Sequence, residues 1–394
     1  MAMLPPLTLA GAQILRDGAI ADGVVGLKDG RLTDAALPVV DLSGYWVLPG
    51  VIDLHGDGFE RHLSPRPGVV FDPEGALRLT DRELAVNGIT TAWAAQGWSW
   101  EPGWRSPDAA EALLRARAGL DLLTDLRVQL RAETHLVAQE ERLIRAVRDW
   151  GVDYVVFNDH MDEWTGHLAA RPTELAARAR KLGCAPSELR RAITQAAQDK
   201  PRVPRHLCRL AAGFDRLGIR YGSHDDDSGH TRAAYSMIGA RICEFPTAHA
   251  AAAAAHALGD PVLMGAPNVV RGRSTGGNVS ACDLIEAGLC DVLVSDYHFP
   301  ALVQAAFALA DSGLRDLAGA WAMIATRPAE VMGLTDRGRI APGLRADLVV
   351  INRDSRQVEA TIAGGRLAYL AGAAAGRFFA AFGAAQTQPR MAAE

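Results

Sequence analysis

The sequence predicts an α/β protein: a (β/α)₈ TIM-type barrel with a small β-domain formed from the N- and C-terminal segments. Eight short apolar runs alternate with helical segments, a pattern that indicates a parallel sheet covered by helices. Eight such units in roughly 250 residues fit a closed barrel, with a doubly wound open sheet as the alternative. The runs are 46–55, 88–96, 126–134, 152–160, 218–224, 241–247, 261–268 and 291–297.

The two ends of the chain share a different pattern, in which short strand-like runs are separated by turns. Asp17-Gly18 and Asp29-Gly30 are turn signals of this kind near the N-terminus. Because neither end is long enough to bury a core well alone, we expect both to pair into one domain. The expected boundaries are 1–47 and 340–375 for this composite β-domain, 48–339 for the barrel and 376–394 for a flexible tail.

Helix signals fall between the strand-like runs. Thr80 with Glu83 three residues later has the spacing of a capping box, and Asn87 would end that helix. Ser106, with proline next to it, predicts the start of another helix. A long helical insertion, about 161–216, follows the fourth strand. An insertion there would lie over the barrel mouth, where it could act as a lid.

The composition is that of an ordinary globular protein: 49% of the residues are hydrophobic, 22% are charged and the formal net charge is −5. That balance gives no electrostatic case for a nucleic-acid partner. No apolar run approaches the ~18 residues that span a bilayer, and the N-terminus is a poor signal peptide. The five cysteines form no Cys-x-x-Cys pair, which argues against a disulfide framework and a cysteine zinc site. We therefore expect a cytoplasmic protein without a membrane partner.

Side chains that bind cations or move protons stand where the apolar runs end. Active sites of such barrels lie at the carboxyl ends of the strands, so these side chains should converge on one site. Imidazole nitrogen and carboxylate oxygen are ligands of zinc, and manganese or iron accepts the same set. The metal-site candidates are His55, Asp57, Glu133, His160, His224 and Asp296, of which Asp296 and Glu133 are also the candidate catalytic residues.

The spacing of these candidates suggests two metal positions. His55 and Asp57 are two residues apart on a strand, so they project to the same side and could hold one ion together with Asp296. The two remaining histidines could hold a second ion, and Glu133 could bridge the pair. Two cations ~3.5–4 Å apart would share and acidify a water molecule, which gives hydroxide near neutral pH. Burying so many carboxylates without cations would be costly.

Each candidate also has a structural explanation. A single histidine at a strand end is more often a buried structural residue, and Asp57 could cap a helix or start a turn. Glu133 could pair with Arg131, and Asp226 and Asp227 could belong to a solvated loop or a helix cap. Several imidazoles and carboxylates on different strand ends are harder to explain without a shared site.

A second group of residues suits an anion. The glycine-rich stretch 264–280 follows the seventh strand, where barrels often bind phosphate, and precedes a helix that starts near Ser280. A plain flexible loop is the alternative, and Arg66 could equally serve a turn between two prolines. The phosphate- and substrate-binding candidates are Arg61, Arg66, Glu244, Asn268, Arg271, Arg273, Gly276, Gly277 and Asn278.

Several of these segments resemble the amidohydrolase superfamily. "LPGVIDLHGD" is similar to its opening motif, Pro-Gly-x-Ile-Asp-x-His-x-His, and "GRIAPGLRADLVVI" is similar to its return to the small β-domain. "SHDDD", "VLMGAPNVVRG" and "VSDY" resemble the branch of the superfamily that degrades phosphonates. Asp57 replaces the second histidine of the motif, which resembles the phosphonate branch in this respect, and a carboxylate there shifts preference toward harder ions.

The resemblance implies a metal-dependent hydrolase that converts a ribose 5-triphosphate ester of phosphonate catabolism into the 5-phosphate and pyrophosphate. It implies attack of metal-bound hydroxide on phosphorus, with Asp296 holding the metal and accepting the proton of water. The expected cofactor is a divalent metal, zinc as one or two ions, with manganese or iron as alternatives. The expected partner is a small phosphorylated substrate, and a homodimer is one expectation for the assembly. The first rival hypothesis is an amidohydrolase that cleaves a C–N bond, as a deacylase or cyclic amidase. The second is a non-enzymatic, metal-dependent partner of a phosphonate complex.

Overall fold

A computed structural model describes residues 3–170, 172–274 and 277–387 of the chain. Seven short strands precede the barrel: β1 Leu7–Ala10, β2 Gln13–Arg16, β3 Ala19–Asp22, β4 Val25–Lys28, β5 Arg31–Thr33, β6 Val39–Asp41 and β7 Tyr45–Pro49. Eight parallel strands follow: β8 Val51–Gly56, β9 Ile89–Trp98, β10 Asp125–Glu133, β11 Tyr154–Asn158, β12 Arg220–His224, β13 Ile242–Glu244, β14 Val262–Gly265 and β15 Val292–Val294. Three strands come after them: β16 Leu348–Asn352, β17 Val358–Ala363 and β18 Arg366–Leu370.

The eight parallel strands are neighbours in chain order, which is the topology of a (β/α)₈ barrel. A bridge between Gly56 and Asp296 closes the barrel between its first and last strands. The carboxylate of Asp53, on β8, strengthens this closure because it accepts hydrogen bonds from the backbone N–H (2.9 Å) and the hydroxyl (2.5 Å) of Ser295. The predicted fold class is confirmed, with strands where the eight apolar runs lie.

Helices fill most connections between the barrel strands. Those before the insertion are α1 Glu60–Leu63, α2 Pro73–Val86, α3 Pro107–Ala118 and α4 Glu140–Trp150, and those of the insertion are α5 Met161–Ala170, α6 Pro172–Leu182, α7 Pro186–Gln198 and α8 Val203–Leu217. The remaining helices are α9 Gly229–Met237, α10 His249–Leu258, α11 Ala266–Arg271, α12 Ala281–Glu286, α13 Ala301–Ser312, α14 Leu317–Ala322, α15 Thr326–Met332 and α16 Gly372–Thr387. Short 3₁₀ turns cover Val137–Gln139 and Lys200–Arg202. Across the described residues, none of the helices combines the length and the apolar character that crossing a bilayer requires.

Strands from both ends of the chain lie in one sheet. In the six-stranded sheet, β7 pairs with the C-terminal strand β16 on one side and with β2 on the other. A second sheet of four strands, in the order β5-β4-β1-β6, contains N-terminal strands. Leu9, Val40, Val350 and Ile362 are among the fully buried side chains of their shared core, which the two ends therefore build together.

The C-terminal segment differs from the expectation of a flexible tail beginning at residue 376. Helix α16 runs from Gly372 to Thr387, and its Ala374 and Phe378 are buried in the core of the small domain. Phe378 anchors the helix, because fully burying one phenylalanine side chain stabilises by about 2–3 kcal/mol. Residues 388–394 of the predicted tail lie outside the described residues.

Two helix starts illustrate where local signals succeed and fail. Ser106 is the N-cap of α3 as predicted, and its hydroxyl accepts a hydrogen bond from the backbone N–H of Ala109. The capping box predicted at Thr80 is wrong, because α2 already begins at Pro73 with Asp72 as its cap. Thr80 is buried inside the helix, and its hydroxyl donates to the carbonyl of Ala76 (2.9 Å).

The insertion after β11 forms helices α5 to α8 with a small core of their own. Leu189 and Ile193 of α7 are fully buried in it, together with Trp164 of α5. Trp164 also packs edge-on against Trp100, whose ring centroid is 5.6 Å away in the loop after β9. The insertion therefore rests on a loop at the carboxyl end of the barrel, next to the barrel mouth.

Candidate active site

A cavity with a volume of about 720 Å³, including the part open to solvent, lies at the carboxyl ends of the barrel strands. The structure brings seven of the residues predicted from sequence onto its wall: His55, Asp57, His224, Asn268, Arg271, Asn278 and Asp296. They come from the ends of β8, β12 and β15 and from the segments after β14.

His55 lies at the floor of the cavity and is 1% exposed. Its Nδ1 atom is 2.8 Å from Oε2 of Glu244 on β13. Oε1 of Glu244 accepts hydrogen bonds from Gln129 (2.7 Å) and from the hydroxyl of Tyr154 (2.5 Å). Burial lowers the pKa of His55, but the Glu244 charge outweighs burial and the pKa is raised overall. Glu244 thus fixes the ring of His55 and leaves Nε2 as its available nitrogen.

Glu244 differs from the expectation that it binds substrate. Its side chain is fully buried, and both of its oxygens already have partners in the protein. A carboxylate in that position holds a histidine, or serves as a ligand beside it, rather than meeting a substrate.

His224 faces His55 across the cavity floor, and the two ring centroids are 5.2 Å apart. One donor atom from each of His55, His224 and Glu244 lies within 4.8 Å of the other two. Burial lowers the pKa of His224, although the neighbouring Asp225 acts in the opposite direction. A histidine with a lowered pKa is neutral at pH 7 and keeps a lone pair for a cation.

Asp57 and Asp296 are brought together by the backbone. The N–H of Asp57 donates to the carbonyl of Asp296 (2.8 Å), and the N–H of Asp296 donates to the carbonyl of His55 (2.9 Å). Burial, with the charge of Asp57 adding to it, raises the pKa of Asp296 to about 7. The Asp296 carboxyl can therefore exchange a proton near neutral pH.

Glu133 and His160 form a pair beside the cavity. Oε1 of Glu133 is 2.5 Å from Nδ1 of His160, and Oε2 of Glu133 is buried without a hydrogen-bond partner among the described residues. Burial lowers the pKa of His160, but Glu133 and Asp225 outweigh burial and raise it to about 10. Asp225 connects this pair to the cavity, because its Oδ2 is 3.0 Å from His224 Nδ1 and 3.9 Å from His160 Nε2.

Three residues without the freedom of glycine have positive φ angles at the strand ends around the cavity. The φ angles are +61° at Asp225, +50° at Phe245 and +55° at Asp296. Each such residue costs on the order of 1–2 kcal/mol, and strain of this kind concentrates at functional sites.

Only some of the predicted phosphate-binding residues line the cavity. Asn268 lines the cavity and accepts a hydrogen bond from the backbone N–H of Ala281 (3.2 Å). Arg271 lies at the exposed rim, with Nη1 3.5 Å from the hydroxyl of Tyr297. Gly277 is exposed with a φ of +81°, and Gly276 lies outside the described residues.

The other three predicted arginines do not line this cavity. Arg61 is bound to Glu83 and to the carbonyl of Tyr297 (3.0 Å), so it ties α1 to its neighbours. Arg66 is exposed in the turn that forms a bridge with Val69, and Arg273 is exposed beyond α11. These positions are poor ones for a ligand of a phosphate at the cavity floor.

Two residues that line the cavity were not among the candidates predicted from sequence, and a third residue beside it lies in a different environment from the one expected. Arg131 was considered only as a partner of Glu133, yet it lines the cavity. Asp225 was not singled out, although it lies between two candidate histidines. Asp226, which was expected in a solvated loop or a helix cap, is 1% exposed and accepts a hydrogen bond from the hydroxyl of Ser223 (2.7 Å). The available signal was polar alternation: Arg131 occurs two residues before Glu133 on the same strand, so both share a face.

Comparison with known proteins found relatives of this chain in sequence. The model of an amidohydrolase family matches residues 305–373. The chain is 28% identical over 375 residues to the alpha-D-ribose 1-methylphosphonate 5-triphosphate diphosphatase of Escherichia coli K12, an alignment that covers 89% of this chain and 97% of that protein. The chain is amidohydrolase-like in sequence and in fold. The comparisons therefore support a hydrolase related to the amidohydrolase superfamily.

Two solved structures illustrate the shared fold. Dihydropyrimidinase from Brevibacillus agri NCHU1002 superimposes with a TM-score of 0.61 at 12% identity, over 94% of this chain and 97% of its own. N-acetylglucosamine-6-phosphate deacetylase from Pasteurella multocida gives a TM-score of 0.59 at 13% identity, over 92% of this chain and 99% of its own. At these identities the likeness concerns the fold alone.

Proposed function

We propose that the protein is a metal-dependent hydrolase that cleaves α-D-ribose 1-methylphosphonate 5-triphosphate, or a close analogue, into the 5-phosphate and pyrophosphate. The observation that carries the proposal is the full-length similarity to the E. coli diphosphatase, which covers 97% of that protein. The imidazoles and carboxylates at the cavity floor suit the same chemistry.

The donor set of the cavity floor fits a divalent cation. His55 and His224 would supply nitrogen, and Asp57 and Asp296 would supply oxygen from the same wall. The neutral state favoured at His224 and the fixed ring of His55 are what a metal ligand needs. The unpartnered Oε2 atom of Glu133 marks a neighbouring position where a second cation could be held, with His160 as a further ligand after the cation displaces its proton. A divalent ion bound at such a set lowers the pKa of coordinated water and offsets negative charge on a substrate.

The protein's own residues would perform the remaining tasks. Asp296, which lies in the cavity wall with Asp57, would accept the proton of the attacking water. Glu133 would keep His160 oriented through the 2.5 Å contact between them. Asn268, Asn278 and Arg271 line the side of the cavity that follows β14, where they would bind the leaving pyrophosphate.

The test is a direct substrate comparison with the purified full-length protein. The protein would be loaded with Zn²⁺ or Mn²⁺ and offered α-D-ribose 1-methylphosphonate 5-triphosphate, ribose 5-triphosphate and a panel of N-acyl and cyclic amides. We expect one pyrophosphate released per 5-phosphate formed and no amide turnover. Amide hydrolysis without pyrophosphate release would overturn the proposal in favour of a C–N hydrolase.

A further inference from the structure

Arg131 is the arginine placed deepest in the cavity. It lies on β10 two residues before Glu133, on the inward face of the barrel, and its side chain is only 12% exposed. It lines the cavity beside Asp57 and Asp296. A guanidinium stays charged at any working pH, so a permanent positive charge stands at the cavity floor.

The contacts of Arg131 hold one edge of the guanidinium and leave the other available. With its amide oxygen turned toward Arg131, Asn158 accepts from Nε (3.3 Å) and Nη2 (3.1 Å). Nη1 lies 3.7 Å from Oδ2 of Asp57, which is too long for a hydrogen bond. Among the described residues, the N–H groups of Nη1 therefore have no hydrogen-bond acceptor, and Nη1 lies on the side of Asp57, which lines the cavity.

The charges around Arg131 show what such a group is needed for. Asp57, Asp225 and Asp296 all line the cavity and would repel an anionic substrate. An amide substrate presents a single carbonyl oxygen at its reacting carbon, and one donor is enough to polarise it. A phosphoryl group presents non-bridging oxygens that suit the two-pronged geometry of arginine.

We propose that Arg131 binds the non-bridging oxygens of the phosphoryl group that is attacked, while Arg271 and the segment after β14 bind the departing pyrophosphate. This inference rests on the function proposed above and gives the bound substrate a direction, with the reacting phosphorus at the floor and pyrophosphate at the rim. In the reaction, a bond forms between the water oxygen and the first phosphorus of the 5-triphosphate, the one bonded to the ribose 5-oxygen. The bond from that phosphorus to the bridging oxygen breaks, its electron pair leaves with pyrophosphate, and the water proton passes to Asp296.

The test compares Arg131→Ala with the matched rim variant Arg271→Ala. Removing a donor that acts on the reacting group costs about 10²–10³ in kcat, which is the loss expected for Arg131→Ala. Added guanidine should restore part of that activity, because it replaces the missing group. Arg271→Ala should instead raise the inhibition constant of pyrophosphate by about ten-fold, the effect of losing one charge-assisted contact, and Arg131→Ala should leave that constant unchanged.

The controls separate the possible failures. Arg131→Lys keeps the charge but loses the fork, so a fall in its kcat supports the inference even if the alanine variant fails to fold. If the native protein releases pyrophosphate while both Arg131 variants keep kcat within about two-fold of native, a change typical of surface positions, the inference is wrong. If the native protein releases none, the proposed function itself is wrong.

Discussion

The barrel carries a charged cluster at each end, and the two clusters differ in how completely their members are paired. At the amino ends of the strands, Asp125 accepts hydrogen bonds from Arg127 (2.8 Å) and Arg337 (2.7 Å). Arg127 also donates to Asp153 (2.6 Å), and Arg337 donates to Thr91 (2.9 Å). Although burial acts against it, this pairing holds the pKa of Asp125 below its ordinary value of 3.8.

At the carboxyl ends of the strands, carboxylates are less completely paired. Oε2 of Glu133 has no hydrogen-bond partner among the described residues, and the pKa of Asp296 is raised to about 7. Asp225 and Asp296 also have positive φ angles, whereas Asp125 is an ordinary strand residue. The full pairing and depressed pKa of Asp125 are typical of a structural residue, whereas the unpartnered oxygen of Glu133, the raised pKa of Asp296 and the strained backbone are typical of a functional site.

The largest expected effect is the loss of activity when a ligand at the mouth is removed. His224→Asn should reduce kcat/KM by about 10³-fold or more, because the variant lacks an imidazole that would hold the metal. Its free energy of unfolding should change by less than ~1.5 kcal/mol, since the replacement fills most of the same space. Steady-state pyrophosphate release and urea unfolding would measure the two quantities. Full activity in this variant would contradict the proposal that the cluster at the carboxyl ends of the strands is the active site.

Metal removal should have a comparable effect on activity. Dialysis against a chelator should abolish turnover, and Zn²⁺ or Mn²⁺ should restore it, because the cavity floor carries several carboxylates that need a compensating charge. The control is circular dichroism, which should show that the fold persists without metal. If turnover survives chelation and no metal is detectable, the cluster at the carboxyl ends of the strands is not a metal site, and the proposed difference between the two ends is wrong.

At the amino ends of the strands, the expected change is in stability rather than activity. Asp125→Asn should lower the free energy of unfolding by about 3 kcal/mol, because it leaves buried arginines without their shared carboxylate. The kcat should stay at the native value, because Asp125 lies at the opposite end of the strand from Glu133. Urea unfolding at pH 7 and the pyrophosphate assay would be run on the same preparation. A stable variant with impaired kcat would reverse the assignment of the two clusters.

Low pH should weaken the cluster around Asp125 by protonating the carboxylate of that residue. Because the pKa of Asp125 is depressed in the folded protein, its stabilising contribution is present above its ordinary value of 3.8 and is lost as the pH falls toward the folded-state value. The stability difference between the native protein and Asp125→Asn should therefore shrink between pH 5 and pH 3, when measured by urea unfolding across that range. A difference that stays constant would show that Asp125 carries no depressed pKa.

The smallest effect is expected at Arg66. Arg66→Ala should change kcat/KM by about two-fold or less, because its side chain is exposed in a turn away from the cavity. Arg271→Ala on the rim is the matched comparison and should raise the KM for the triphosphate substrate. An equally large effect at both positions would show that the substrate extends beyond the cavity described here.

The fold could be predicted because the barrel strands are continuous apolar runs, such as 152–160 around Tyr154–Asn158. Helix α16 was missed because its sequence, rich in alanine and glycine, gives little amphipathic signal. Phe378 is buried in a core that also contains N-terminal strands, and the sequence of the helix alone does not reveal that core. Thr80 was taken for a cap because a local spacing carries no information about how far the preceding helix extends.

The site was predictable where a polar residue ends an apolar run, as His55 and His224 do. Arg131 was missed because an arginine within a strand is typical of a solvated face, and only the closed barrel turns that face inward. Asp225 and Asp226 are adjacent in sequence but opposite in environment, because a positive φ at Asp225 redirects the chain and buries its neighbour. No local pattern specifies that difference.

The most direct test of the central claim is an anomalous diffraction measurement on crystals of the full chain soaked in Mn²⁺. We predict a manganese peak at the cavity floor bonded to at least His55 and His224, and no peak at the paired cluster around Asp125. A mouth without manganese in crystals that are saturated with the ion, or manganese bound only elsewhere, would contradict the account.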